Sequence, residues 1–170
     1  MSEFFPALQY TLNFEDPNRE YQAVPDVGNS HSIAGINSAV FPVAFLGLNS
    51  LPPAQRPSPV AQFYFTDFWV PMGVGMIQNQ DLANRVFDEG VNAGSETSIK
   101  LLQQATNALG GELDVDGQNG PRTITAVNRC VPVDLLNAFR DQRVLRYREI
   151  VASKPDDARY LAGWEARARA

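Results

Sequence analysis

The sequence predicts a mainly α-helical fold, built as a single domain over 1–170. Three observations carry this. Apolar residues recur every three or four positions in most segments, the spacing of one helix face. Strand-like alternation is scarce, and no repeat or low-complexity tract interrupts the chain. With 170 residues, 44% hydrophobic and 19% charged, the chain is long enough for a real core and too apolar for global disorder.

The elements follow in order. Residues 3–15 read as the first helix, with Phe4, Leu8, Thr11, Leu12 and Phe14 in its apolar stripe. Residues 16–35 are rich in turn formers, among them Pro17, Asn18, Pro25, Gly28 and Gly35, and leave room for a short hairpin. Irregular stretches of this length in compact domains are often functional. A short helix is expected over 36–47, limited by Pro42 and Gly47, and a stiff connector over 49–59, where four prolines cluster. Residues 60–69 read as a helix ending at Phe68-Trp69 and stopped by Pro71. Leu82, Val86, Phe87 and Val91 mark a helix over 81–93, ended by Gly94. Ser95 opens the next, with Ile99, Leu102, Ala105 and Leu109 on its stripe and Gly110-Gly111 at its end. A tight polar loop over 113–121 leads to a helix that Pro121 starts and that runs through Val127. The longest helix spans 132–153, with Leu135, Leu136, Phe139, Arg143, Tyr147 and Ile150 on one side. A final helix over 156–169 carries Tyr160, Leu161 and Trp164.

Composition excludes several functions. A net charge of −5 is a poor fit to a duplex nucleic-acid binder, which needs a basic face. The C-terminal third is locally basic, with Arg140, Arg143, Arg146, Arg148, Arg159, Arg167 and Arg169. Such an end suits an anionic polymer or forms a solvated helix face. One cysteine, Cys130, and one histidine, His31, rule out an intrachain disulfide and a four-ligand zinc site. Cys130 reads as a helix end turning into core. The loop Asp114-Val115-Asp116-Gly117-Gln118-Asn119-Gly120 resembles a calcium loop, but Thr125 stands where the closing glutamate belongs. No metal and no cofactor is expected, and Gly28 and Gly35 form no dinucleotide fingerprint. The N-terminus lacks a signal peptide's basic and apolar regions, and no apolar run is long enough to span or anchor in a membrane.

Two carboxylates stand out. Glu15 closes the first helix, and shelter by Leu12 and Phe14 is expected to favour its protonated form. A protonated carboxylic acid at neutral pH is what glycosidic cleavage needs as proton donor. Asp26 lies across the turn-rich stretch, placed either to face Glu15 across a cleft or to make a turn with Val27-Gly28-Asn29. Ser30, His31 and Ser32 lie too close to Asp26 in sequence for a Ser-His-Asp triad, and no nucleophile elbow is present. Tyr64, Phe68, Trp69 and Trp164 suit either sugar stacking or the core.

These pieces, in this order, resemble the lysozyme-like muramidases of glycoside hydrolase family 108, which carry a C-terminal peptidoglycan-binding region. The family's helix ends in an aromatic or His, then Glu and Gly-Gly; here Thr11-Leu12-Asn13-Phe14-Glu15 takes that place. Asp26-Val27-Gly28-Asn29, Ser32 and Gly35-Ile36 match its Asp-Pro-Gly-Gly loop, Thr and Gly-Ile. Phe68-Trp69-Val70-Pro71, the run from Phe87 to Gly94, Leu102-Gln103, the run from Asp116 to Thr123, Arg143 to Tyr147 and Gly163 to Arg167 match further elements. The departures are local: Asp16-Pro17 replaces Gly-Gly, and the stretch to Gly35 is longer.

The resemblance implies a lysozyme-like helical domain with a small β-hairpin after the first helix. Its catalytic region would be 1–94, and 95–170 would resemble the peptidoglycan-binding part. The implied reaction cleaves the β-1,4 bond between N-acetylmuramic acid and N-acetylglucosamine in bacterial peptidoglycan. Glu15 is the implied general acid, Asp26 the second carboxylate, and Ser32, Trp69, Asn92 and Gln103 the implied sugar contacts. A lytic transglycosylase using the same Glu15, and a wall-binding module without catalysis, remain open. A phage-type lytic enzyme reaching the cell wall by a holin, a virion or a secretion machine is the expected setting.

Overall fold

The computed structural model describes residues 1–170. Helix α1 spans Phe4–Glu15. Three short strands follow: β1 Ala23–Pro25, β2 His31–Ile33 and β3 Ile36–Asn37. They form one antiparallel sheet in the order β1-β2-β3. Its register pairs Val24 with Ser32 and Ile33 with Ile36, so Ala34-Gly35 is the turn at its tip. Then come α2 (Pro42–Asn49), α3 (Pro57–Tyr64), α4 (Val70–Met72), α5 (Gln80–Ala93) and α6 (Ser95–Ala108). Helices α7 (Pro121–Arg129), α8 (Pro132–Ser153) and α9 (Leu161–Arg169) complete the chain. The fold is mainly α with a small sheet, as the periodicity and the resemblance imply.

Proline placement explains several boundaries. Helices α2, α3, α7 and α8 each begin on a proline, whose missing N–H is no loss in a first turn. Three expectations need correction here. The segment 36–47 splits into strand β3 and a helix that starts only at Pro42, because proline favours a helix start over a helix interior. Pro71 does not stop the helix before it. A π-turn over Phe65–Trp69 shifts the hydrogen bonding by one residue, with Val70 N–H donating to the Phe65 carbonyl, and the helix continues to Met72. Gly73, at φ 62°, ends it instead. The last helix begins at Leu161, after a 3-10 stretch over Pro155–Tyr160.

Helix α5 is the central element. Every residue from Leu82 to Gly90 is buried, including Asp88 and Glu89. It packs in one core with Leu8 and Leu12 of α1, Tyr64 of α3, Leu102 of α6, and Leu135 and Phe139 of α8. A second, smaller cluster of Val144, Tyr147 and Ala168 fixes α9 on α8. Phe4, Trp69 and Phe87 meet edge to face where α1, the π-turn and α5 converge.

Candidate active site

Glu15 lies one turn beyond Thr11 and Leu12, both buried, so the helical repeat carries it onto the covered face of α1. Its side chain is 20% exposed, and Oε1 accepts a hydrogen bond from Arg167 Nη2 at 2.7 Å. The expected apolar shelter is therefore an ion pair. Leu12 is buried, whereas Phe14 points outward and lies under the Arg167 guanidinium, 4.8 Å from ring centre to Cζ. The other oxygen, Oε2, faces the hairpin tip. A Cβ on Gly35 would stand 2.7 Å from Oε2 and 2.8 Å from the Tyr64 hydroxyl, and Gly35 has φ +81°. Only glycine fits there. Tyr64 Oη, at the end of α3, donates to the Ala34 carbonyl at 2.8 Å and so pins the tip against α3. Burial, and then the charge of Glu15, push the Tyr64 hydroxyl well above its usual range, keeping it a neutral donor.

The chain leaves α1 without glycines, and a side-chain cap takes their place. Arg19 Nη1 donates to the carbonyls of Leu12 and Asp16, both at 2.6 Å, and Nη2 donates to Asn13 Oδ1 at 2.7 Å. The Asp16 carboxylate accepts from the backbone of Glu20 at 3.1 Å and of Tyr21 at 2.8 Å. Arg19 and Tyr21 occupy the left-handed region at φ 56° and 52°. That strain costs about 1 kcal/mol per residue, and the Arg19 side chain offsets it with charge-assisted second bonds to the Leu12 and Asp16 carbonyls, each of which already accepts a backbone N–H. The cation also complements the negative end of α1.

Asp26 belongs to the hairpin. Its carboxylate accepts from Ser32 Oγ, from Val27 N–H at 2.7 Å and from Asn37 Nδ2 at 2.8 Å. The Ser32 bond first, then Val27 and Asn37, hold its pKa below the usual carboxylate value. Asp26 is therefore both a turn former and an exposed, ionised carboxylate. The sheet ties it to Glu15: Ser32 and Asn37 pair across the hairpin whose tip abuts Glu15. Two residues of strand, about 7 Å, separate Asn37 from Gly35.

Behind Glu15 lies a buried charge network. Arg167 Nη2 also meets Asp88 Oδ1 at 2.7 Å, and its Nε meets Asp88 Oδ2 at 3.2 Å. Arg143, wholly buried, donates to Asp88 at 3.1 Å and to Glu89 at 2.7 Å. Tyr147 donates to Glu89 at 2.9 Å and accepts from Asn92 Nδ2 at 3.0 Å. Arg146 approaches Glu89 at 3.8 Å, so three carboxylates meet three guanidiniums. Burial opposes the Arg167 charge, but hydrogen bonding to Asp88 and the charges of Asp88 and Glu15 outweigh it and hold the guanidinium above its usual value. The C-terminal arginines are thus not one basic face. Arg143 is internal, Arg167 is part-buried against Asp88, Arg148 pairs with Glu165 at 2.7 Å, and Arg140 donates to the Ala170 carbonyl at 3.0 Å. One sequence signal foretells this: Arg143 falls on the apolar stripe of α8, where an unpaired cation would be costly.

The remaining expected contacts fall elsewhere. Ser32 is 6% exposed and engaged with Asp26. Trp69 is 7% exposed, covered by Phe4, Phe87 and the backbone of Gly75. Gln103 is 1% exposed, and it clamps the loop after α6 through Asp116, Gln118, Thr123 and the Gly117 N–H. Both amide ends are occupied, so neither is free for a sugar. Asp116 serves this clamp, and its bond from Gln103 is the largest cause holding it below its usual value, whereas Asp114 faces Arg122 at 3.5 Å. Asn92 is exposed, at the outer end of the charge network. The structure brings Glu15 and the Asp26–Ser32 pair to one hairpin, and leaves Trp69 and Gln103 in the core. A separate cavity of about 570 Å³ opens between α6 and α7, lined by Leu109, Glu112, Arg129, Val131 and Asp134 among others.

Residues 97–169 match the family described as "Predicted Peptidoglycan domain". No curated protein matches the chain. Among solved structures the chain is similar to SagA of Brucella abortus, with a TM-score of 0.67 at 19% identity, over 97% of this chain and 92% of that one. At that identity the likeness shows the fold. The chain has a mainly α, lysozyme-like fold whose residues 97–169 match a peptidoglycan domain family.

Proposed function

We propose that the protein is a muramidase of the glycoside hydrolase family 108 type, a single domain that cleaves the β-1,4 bond between N-acetylmuramic acid and N-acetylglucosamine in peptidoglycan. The observation that carries this is the setting of Glu15. It ends α1 on the covered face, with Oε1 held by Arg167 and Oε2 turned to the hairpin tip. An anchored carboxyl with one oxygen left for a proton suits a general acid that protonates the leaving glycosidic oxygen. Asp26, held ionised by three donors, is a poor base. Its suited role is to stabilise the oxocarbenium-like transition state across the hairpin. The match over residues 97–169 supports peptidoglycan as the polymer. One core joins the two halves of the chain, which supports their working as a unit. A phage-type lytic enzyme is the setting we favour.

Glu15→Gln keeps the shape and removes the proton. We expect it to lose at least 99% of lytic activity on purified sacculi, in line with the roughly hundredfold or larger contribution of a positioned acid. Full activity in that variant would sink the reading. Mass spectra of the digest separate the mechanisms: reducing ends mark hydrolysis, and 1,6-anhydro ends mark a lytic transglycosylase in which the muramyl 6-hydroxyl attacks. A wall-binding module without catalysis is the second reading, and the Arg167 cation bound to Glu15 favours it. That module binds sacculi and releases no muropeptides.

A further inference from the structure

The Arg167 contact raises a chemical question. A general acid must carry a proton, yet a guanidinium beside it favours the ionised form. Asp88 resolves the conflict. Arg167 presents Nε and Nη2 as a fork to the two oxygens of Asp88, at 3.2 and 2.7 Å, and the same Nη2 reaches Glu15 at 2.7 Å. Asp88 is wholly buried on α5, and Arg143 braces it from behind at 3.1 Å. The fork thus fixes the plane of the guanidinium, and the Phe14 ring closes its outer side. Arg167 is also the hydrogen-bond donor to the Glu15 carboxyl.

The charges add up in two ways. With Glu15 protonated, it faces an Arg167–Asp88 pair that is neutral as a whole. With Glu15 ionised, after the proton has gone to the leaving oxygen, Arg167 supports the new carboxylate. The pair tolerates the starting state and favours the finishing one. The other charged and titratable groups around this point are Tyr10 on α1, Tyr64 on α3, Arg85 and Glu89 on α5, and Arg140, Arg143, Arg146 and Tyr147 on α8.

We propose that Arg167 is a positioning residue for proton donation by Glu15, and that Asp88 orients it and offsets its charge. The C-terminal helix α9, inside the span matched by the peptidoglycan domain family, thereby completes the active site of the N-terminal part. This rests on the reading of Glu15 as general acid.

The test uses opposite signs. Arg167→Met removes a cation beside Glu15 and leaves Asp88 facing it. The alkaline limb of the pH–rate profile on sacculi should move up, and kcat should fall roughly 100-fold from lost alignment. Asp88→Asn leaves the cation uncompensated, and the same limb should move down. Arg167→Lys keeps the charge and loses the fork, so kcat falls while the limb stays in place and KM changes little. Carbon-detected NMR titration of the Glu15 carboxyl reads the same displacements without turnover. A purely structural role lowers the amount of folded enzyme and moves neither limb nor titration. If Asp88→Asn fails to fold, the two Arg167 variants decide, because that side chain is part-exposed at 17%. An unmoved Arg167→Met titration, or a shift of the same sign in both removals, overturns the inference. Loss of activity in Glu15→Gln beside an unmoved Arg167→Met leaves the reading of Glu15 standing. Full activity in Glu15→Gln overturns both.

Discussion

Gly35 shows how far a single residue reaches. Its Cα stands where Glu15 Oε2, the Tyr64 hydroxyl and the hairpin turn converge. Gly35→Ala adds a methyl group 2.7 Å from one oxygen and 2.8 Å from the other, at φ +81°. We expect a loss of roughly 1–3 kcal/mol, the cost of a strained left-handed residue at a crowded point, seen as a lower urea midpoint. The hairpin tip must also retreat from Glu15, so lytic activity should fall further than stability does. Equal stability and activity to the parent would show that the tip does not abut the acid. At this scale the sequence was partly legible. The covered face of α1 follows from Thr11, Leu12 and Glu15 lying one turn apart. The role of Arg167 does not follow, because its contact with Glu15 closes a separation of 152 residues.

Elements were more legible than their joints. Helix faces and proline starts follow from period and from the missing proline N–H, and the structure places α1, α5, α6 and α8 near the expected bounds. The joints were obscured where a tertiary partner replaces a local signal. The π-turn carries the helix past Pro71, and Arg19 caps α1 where the resembled family has glycines. The change after Glu15 is thus an alternative way to end a helix, and it leaves the acid in place. Arg19→Met keeps the stem of the side chain and removes the donors. Helix α1 then loses bonds to the carbonyls of Leu12 and Asp16 while Arg19's left-handed backbone remains strained. The expected cost is about 1–2 kcal/mol, the size of a lost cap. Thermal unfolding followed by circular dichroism measures it. An unchanged midpoint would mean that the cap contributes nothing.

Over the whole molecule, α1, α5, α8 and α9 meet around one buried charge network rather than around apolar contacts alone. Replacing a single member leaves an uncompensated charge inside, so the network fixes how the ends of the chain meet. The sequence carried only a hint of it, a cation on the apolar stripe of α8, since the pairing of Asp88 and Glu89 with Arg143 spans the fold. Such a network has a pH signature. Tyr147 is 2% exposed, and burial, then the charge of Glu89, push its pKa up to about 12 from 10.0. Tyr64 moves in the same direction. The folded state keeps protons that the unfolded chain gives up above pH 10, so stability is intact below that point and declines as pH rises toward about 12. Tyr147 accounts for roughly 2 kcal/mol of that decline. Tyr147→Phe has no proton to lose, so its stability should start lower, because Glu89 loses a donor, and then fall less steeply with alkali. Urea unfolding across this pH range compares the two slopes. Parallel curves would show that the Tyr147 hydroxyl does not carry the alkaline limit of the fold.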